Sequence, residues 1–131
     1  MKLPKSKHSP RKKLREEIGR LQYQQLLKER GDRCELSGKP ANGLGRFHIL
    51  AVGSHPRLEF HSENVLLVNW LPLHFWWHHD IIKAKRIVEP LIIELKGKDY
   101  REKLLMIEVI QPRLTTTYLR TLLMAYKEMS R

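Results

Sequence analysis

The stretch that decides the fold is Gly45–Asp80, GRFHILAVGSHPRLEFHSENVLLVNWLPLHFWWHHD. It holds six of the seven histidines and all three tryptophans. Arg46–Val52, RFHILAV, is rich in β-branched and apolar residues and reads as a strand. Gly53–Arg57 is a turn containing Pro56, and Leu58–Phe60 reads as a short extended piece. Asn64–Asn69, NVLLVN, reads as a second strand. Pro72 suits the first turn of a helix carrying His74, Trp77, His78, Ile81, Ile82 and Ile87, which Pro90 breaks or kinks after Glu89. The predicted core is strand, loop, strand, helix, with His48 on the first strand and His74 and His78 four residues apart on the helix. Residues i and i+4 share a helix face, so both imidazoles can reach one ion.

Outward from this core, Leu14–Arg30 reads as a helix. Leu14, Ile18, Leu21 and Leu26 fall at helical spacing, and Gly31-Asp32 ends it. Its expected role is packing rather than recognition. Cys34–Gly45 is a turn-rich connector. Asp99–Val109 reads as a helix closed by Pro112. Thr115–Thr117 offers caps for a last helix bearing Leu119, Leu122, Leu123 and Tyr126. These C-terminal helices are expected to complete the core.

A chain of 131 residues is one domain by size. Its 25 Lys and Arg against 14 Asp and Glu give a net charge of +11, an excess that points to a polyanion, most commonly nucleic acid. Met1–Arg15 carries seven of those cations and no acid. Residues 1–13 are therefore expected to be a flexible basic arm, with Lys5, Lys7, Arg11, Lys12 and Lys13, joined by Arg46, contacting nucleic acid. The single cysteine, Cys34, cannot form an internal disulfide, which suits a reducing, cytoplasmic compartment. No apolar run is long enough for a membrane span, so no membrane partner is expected. Oligomeric state is not legible.

Strand–loop–strand–helix with these histidines resembles the HNH, or ββα-metal, nucleases. Within them, HILAVGSHPRLEFHSENV, His48–Val65, is similar to the matching segment of the phage NinG/Rap recombination nucleases, with H…VG-x-HP-x-L-x-F…N in register. The resemblance implies an α+β fold, with residues 14–131 forming a single domain. Its ββα core spans 45–89, flanked by the N-terminal helix and by C-terminal helices over 90–131.

It implies a metal-dependent DNA endonuclease, phage-encoded and acting in recombination or processing in the host cytoplasm. His48 would be the general base, Asn64 would pin the loop that orients it, and His74 and His78 would hold a divalent ion, Mg²⁺, Mn²⁺, Ni²⁺ or Zn²⁺. The chain departs from the NinG pattern at Cys34, Ser37, Asn69 and Pro72, where those proteins carry two cysteine pairs on zinc. No structural cysteine-type zinc is expected, since serine does not replace a thiolate. In that respect the chain is similar to the cysteine-free colicin-type DNases. Packing by Trp70, Trp76 and Trp77 would take over the cross-link. Phe47 stands where many HNH enzymes have a ligand, so the metal site is expected either to be thinner than usual or to be completed by a residue such as His61 or His79. The alternative is a catalytically inactive nucleic-acid-binding protein on the same fold. His55 is expected to be a structural turn residue.

Overall fold

The computed structural model describes residues 9–131. The elements are helix α1 (Pro10–Arg30), strands β1 (Leu44–His48) and β2 (Val65–Asn69), short helices α2 (Phe75–His79) and α3 (Ile81–Lys83), then α4 (Glu89–Lys96), α5 (Tyr100–Ile110) and α6 (Thr116–Met129). The class is α+β, with a two-stranded antiparallel sheet.

The hairpin is the centre of the molecule. Its register pairs His48 with Val65, Phe47 with Leu66, Arg46 with Leu67 and Gly45 with Val68. All five residues of β2 are buried, so both faces of the sheet are covered, and an unbroken apolar run is what such a strand requires. Alternation sends successive side chains to opposite faces. On one face, Val65 and Leu67 pack with Leu26 of α1 and Leu44. On the other, Phe47, Leu66 and Val68 pack with Leu73, Val88, Ile92 and Leu104. Arg46 and His48 therefore belong to the α1 side, and Phe47 to the side of the later helices.

Helix α1 begins four residues earlier than its apolar spacing predicts. Ser9 caps it by accepting from Lys12 N, and Pro10 sits in the first turn, where its missing N–H costs nothing. Arg11, Lys12 and Lys13 are thus helical, and the predicted arm keeps only residues outside the described range, among them Lys5 and Lys7. The helix ends at Gly31, whose φ of +85° a side chain would resist. Its buried residues, Ile18, Leu21, Gln22 and Leu26, bear out the packing role.

The region after β2 departs most from expectation. Backbone over Trp70–His74 forms a wide turn that contains the cis Leu71-Pro72 bond, with Leu71 extended, and α2 follows. The helix predicted to run to Glu89 is interrupted at Asp80, which is extended (φ −134°, ψ 95°) and caps the next turn by accepting from Lys83 N. Pro90 does not end the helix. The turn Ala84–Val88 is widened to π geometry just ahead of it. A proline ring clashes with the carbonyl four residues earlier in a regular helix, and a π-turn relieves that clash. Leu58–Phe60 is not extended either: Pro56–Leu58 is a 3₁₀ turn.

The C-terminal helices complete the core as expected. Leu119 of α6 packs with Ile18 and Phe60, and Thr115 caps α6 by accepting from Tyr118 N. Among the described residues no helix is long and apolar enough to cross a membrane.

Candidate active site

His48 ends β1 on the α1 side, half-buried. Its Nε2 lies 2.9 Å from the Glu59 carbonyl oxygen. A carbonyl only accepts, so Nε2 carries the proton and Nδ1 keeps the lone pair. Burial lowers the His48 pKa below the ordinary value, and nearby Arg46 and His78 add to the effect against the opposing Glu59. At neutral pH the ring is a neutral base.

The carbonyl that orients His48 belongs to the loop over 49–64, and Asn64 holds that loop. Its side chain is fully buried. Oδ1 accepts from Leu50 N at 2.8 Å, and Nδ2 donates to Leu50 O at 3.0 Å and to Leu58 O at 3.3 Å. Leu58 immediately precedes Glu59, so this amide fixes the peptide next to the one that orients His48. The Glu59 side chain is anchored separately: Arg15 of α1 donates to it from Nε at 2.9 Å and Nη2 at 3.0 Å. Neither Arg15 nor Glu59 stands out in the sequence. Their partnership spans 44 residues, and no local pattern marks it.

His74 and His78 come together as their spacing predicts, with ring centroids 5.1 Å apart. Both lie against Phe47, at 5.3 Å and 6.1 Å. His74 is buried, and its Nδ1 has no hydrogen-bond partner. Desolvation, reinforced by His78, brings its pKa down to about 4. Burial and neighbouring His79 lower His78 as well. The pair faces the strand that carries His48, but through Phe47, on the opposite side of the sheet from the His48 side chain. Among the described residues no group of three His, Cys, Asp or Glu side chains is arranged to hold a metal. His61 and His79 do not supply a third position: His61 Nδ1 accepts from Glu63 N, and His79 stacks on Phe75 at 4.7 Å.

Arg46 and His55 have structural partners. Arg46 donates to Gln22 Oε1 at 2.8 Å and lies over the Phe60 ring at 5.4 Å. Its guanidinium is drawn inward, not held free for a ligand. A Cβ at residue 19 would collide with it, which explains Gly19 in the middle of α1. His55 is the structural turn residue expected, with Nδ1 3.0 Å from Glu108 of α5.

Cys34, Ser37, Asn69 and Pro72 line one cavity of about 680 Å³. Polar bonds cross this cavity, while Trp76 and Trp77 pack against the core cluster that holds Cys34 and Leu36. Asn69 Nδ2 donates to Pro40 O at 3.1 Å, its Oδ1 accepts from Asn42 N at 2.7 Å, and its backbone N–H points at Cys34 Sγ, 3.4 Å away. Trp70, one of the tryptophans expected to do this work, is 45% exposed.

Compared with known proteins, the chain matches no family model, no curated protein and no solved structure.

Proposed function

We propose that this protein is a metal-dependent endonuclease of the HNH class that hydrolyses phosphodiester bonds in DNA. The observation that carries the reading is the buried Asn64 amide, which fixes the loop whose Glu59 carbonyl orients a neutral His48. A general base must be both deprotonated and aimed, and this arrangement supplies both. His48 Nδ1 would take the proton from the attacking water, while Nε2–H stays on the carbonyl.

A divalent ion, held by His74 and His78, would supply Lewis-acid stabilisation of the charge developing on the phosphate and the leaving oxygen. His74 and His78 suit such an ion: both are neutral at pH 7, they lie one turn apart, and His74 Nδ1 is a buried nitrogen lacking a partner. Two imidazoles favour Zn²⁺, Ni²⁺, Co²⁺ or Mn²⁺ over Mg²⁺. The +11 charge favours a nucleic-acid substrate. The convergence of Cys34, Ser37, Asn69 and Pro72 on one cavity supports the NinG-like resemblance, since those are the positions it names.

One observation favours the alternative, a nucleic-acid-binding protein without activity. Phe47 lies against both His74 and His78, on the opposite face of the sheet from the His48 side chain, and cannot ligate. Supercoiled plasmid incubated with each metal separates the two readings. Nicking supports the nuclease, and retained binding without nicking supports the inactive binder.

A further inference from the structure

Three arginines from distant parts of the chain meet away from His48. Arg11 in the first turn of α1, Arg57 in the turn Pro56–Leu58 and Arg113 in the connector between α5 and α6 line one cavity of about 480 Å³, with Thr115 at its edge. No carboxylate lines it, and among the described residues none of the three arginines has an ion-pair partner. Three guanidinium side chains lining one cavity that holds no carboxylate give it a positive potential, which favours an anion there. The positive ends of two long helices add to the field, because Arg11 opens α1 and Thr115 caps α6. The His55–Glu108 pair, 3.0 Å, clamps the loop bearing Arg57 to the helix that leads to Arg113.

A second cavity of about 240 Å³ adjoins the first, and Arg57 and Leu114 border both. Its walls include His61, Phe60, Tyr118 and Tyr126. An anion pocket beside an aromatic pocket is the pairing that a nucleotide of an unpaired strand requires, with phosphate on arginine and base on a ring.

We infer that these joined cavities bind one nucleotide of single-stranded DNA, its backbone phosphate among Arg11, Arg57 and Arg113 and its base against Tyr118. The inference rests on nucleic acid being the partner, as proposed above, but not on cleavage. It gives the loop held by Asn64 a second task. The segment that orients His48 through Glu59 also presents Arg57.

The test is fluorescence anisotropy of a labelled single-stranded 20-mer and its duplex against full-length protein over a salt series. Arg57→Gln/Arg113→Gln should weaken single-strand binding and reduce the slope of log K against log[salt] by about 0.7, the worth of one neutralised phosphate on a single strand. Tyr118→Ala should weaken single-strand binding about tenfold at an unchanged slope, and duplex binding much less. Lys98→Gln/Lys103→Gln, which removes equal charge elsewhere, sets the baseline, and thermal melts confirm that each variant folds.

Inorganic phosphate, added at constant ionic strength, should displace the strand only at tens of millimolar. Displacement at low millimolar levels would assign the pocket to free phosphate and overturn the inference. So would an arginine pair no more costly than the lysine pair, or a Tyr118→Ala loss equal on duplex and single strand. A wild-type protein that binds DNA without cutting it ends the nuclease reading and leaves this one standing. One that binds no DNA at low salt ends both.

Discussion

Replacing Asn64 by alanine should be the most damaging single change in the loop. The side chain is fully buried and satisfies one N–H and two carbonyls through bonds of 2.8, 3.0 and 3.3 Å. Alanine leaves all three groups without partners in a region closed to water. Each such group costs about 1–3 kcal/mol, with the longest bond at the low end, so the total is about 3–5 kcal/mol. For a chain of this size that is a fall in Tm of about 10–20 °C. Asn64→Asp sharpens the test because it preserves volume. Its carboxylate still accepts from Leu50 N but sets a second anionic oxygen against the carbonyls of Leu50 and Leu58. It should be as destabilising as alanine at pH 7. The clash raises the pKa of the new carboxyl above its unfolded value, so the defect should shrink as falling pH protonates it and restores one donor. Urea denaturation at pH 7 and pH 5 measures both. An alanine variant melting within about 3 °C of wild type, or an aspartate variant as stable as wild type at pH 7, would refute the claim that this amide holds the loop.

The other predictions concern groups that contact or flank the loop and the histidine pair. With its folded pKa at about 4 against an ordinary 6.5, His74 binds fewer protons folded than unfolded between those values. Stability should therefore fall as pH drops from about 6.5 toward 4, by up to about 3 kcal/mol, and His74→Phe should remove that part of the slope in urea titrations. The same low pKa means protons compete poorly with a metal, so calorimetric binding of Zn²⁺ or Ni²⁺ should persist to about pH 5 and vanish in His74→Ala/His78→Ala; equal binding by both proteins would dismiss the pair as ligands. Arg15→Gln leaves the buried Glu59 carboxylate without its partner and should cost about 1–3 kcal/mol by thermal melting, since Arg15 is itself partly exposed; an unchanged melt would show that α1 does not brace the loop.

The hairpin was legible because it rests on local signals, an apolar run on each side of turn residues. The same holds for α1 and for the Thr115 cap of α6. The role of Asn64 came from the family resemblance, since its partners Leu50 and Leu58 are brought to it by the folded loop. The helix after Pro72 was misread because its apolar spacing stays continuous through Asp80, while the break there is set by the backbone and its capping bond to Lys83. The consequence of Phe47 depended on register: only pairing with Leu66 puts its ring against His74 and His78 and turns His48 to the other face. Arg46 read as a free surface cation because nothing in the sequence reveals Gln22 opposite it or the space left by Gly19. The Arg15–Glu59 and His55–Glu108 pairs, each joining residues more than forty positions apart, have no local signature at all.

The most direct test of the nuclease reading is plasmid nicking by wild type and by His48→Ala, with DNA binding measured in parallel. Mn²⁺, Ni²⁺, Zn²⁺ and Mg²⁺ are supplied in turn, and a chelator serves as the blank. The account predicts metal-dependent nicking by wild type that falls at least a hundredfold in His48→Ala, as expected for loss of a general base, with affinity for DNA unchanged. Wild type that binds but cuts with none of the metals, or a His48→Ala protein that cuts at the wild-type rate, would contradict it.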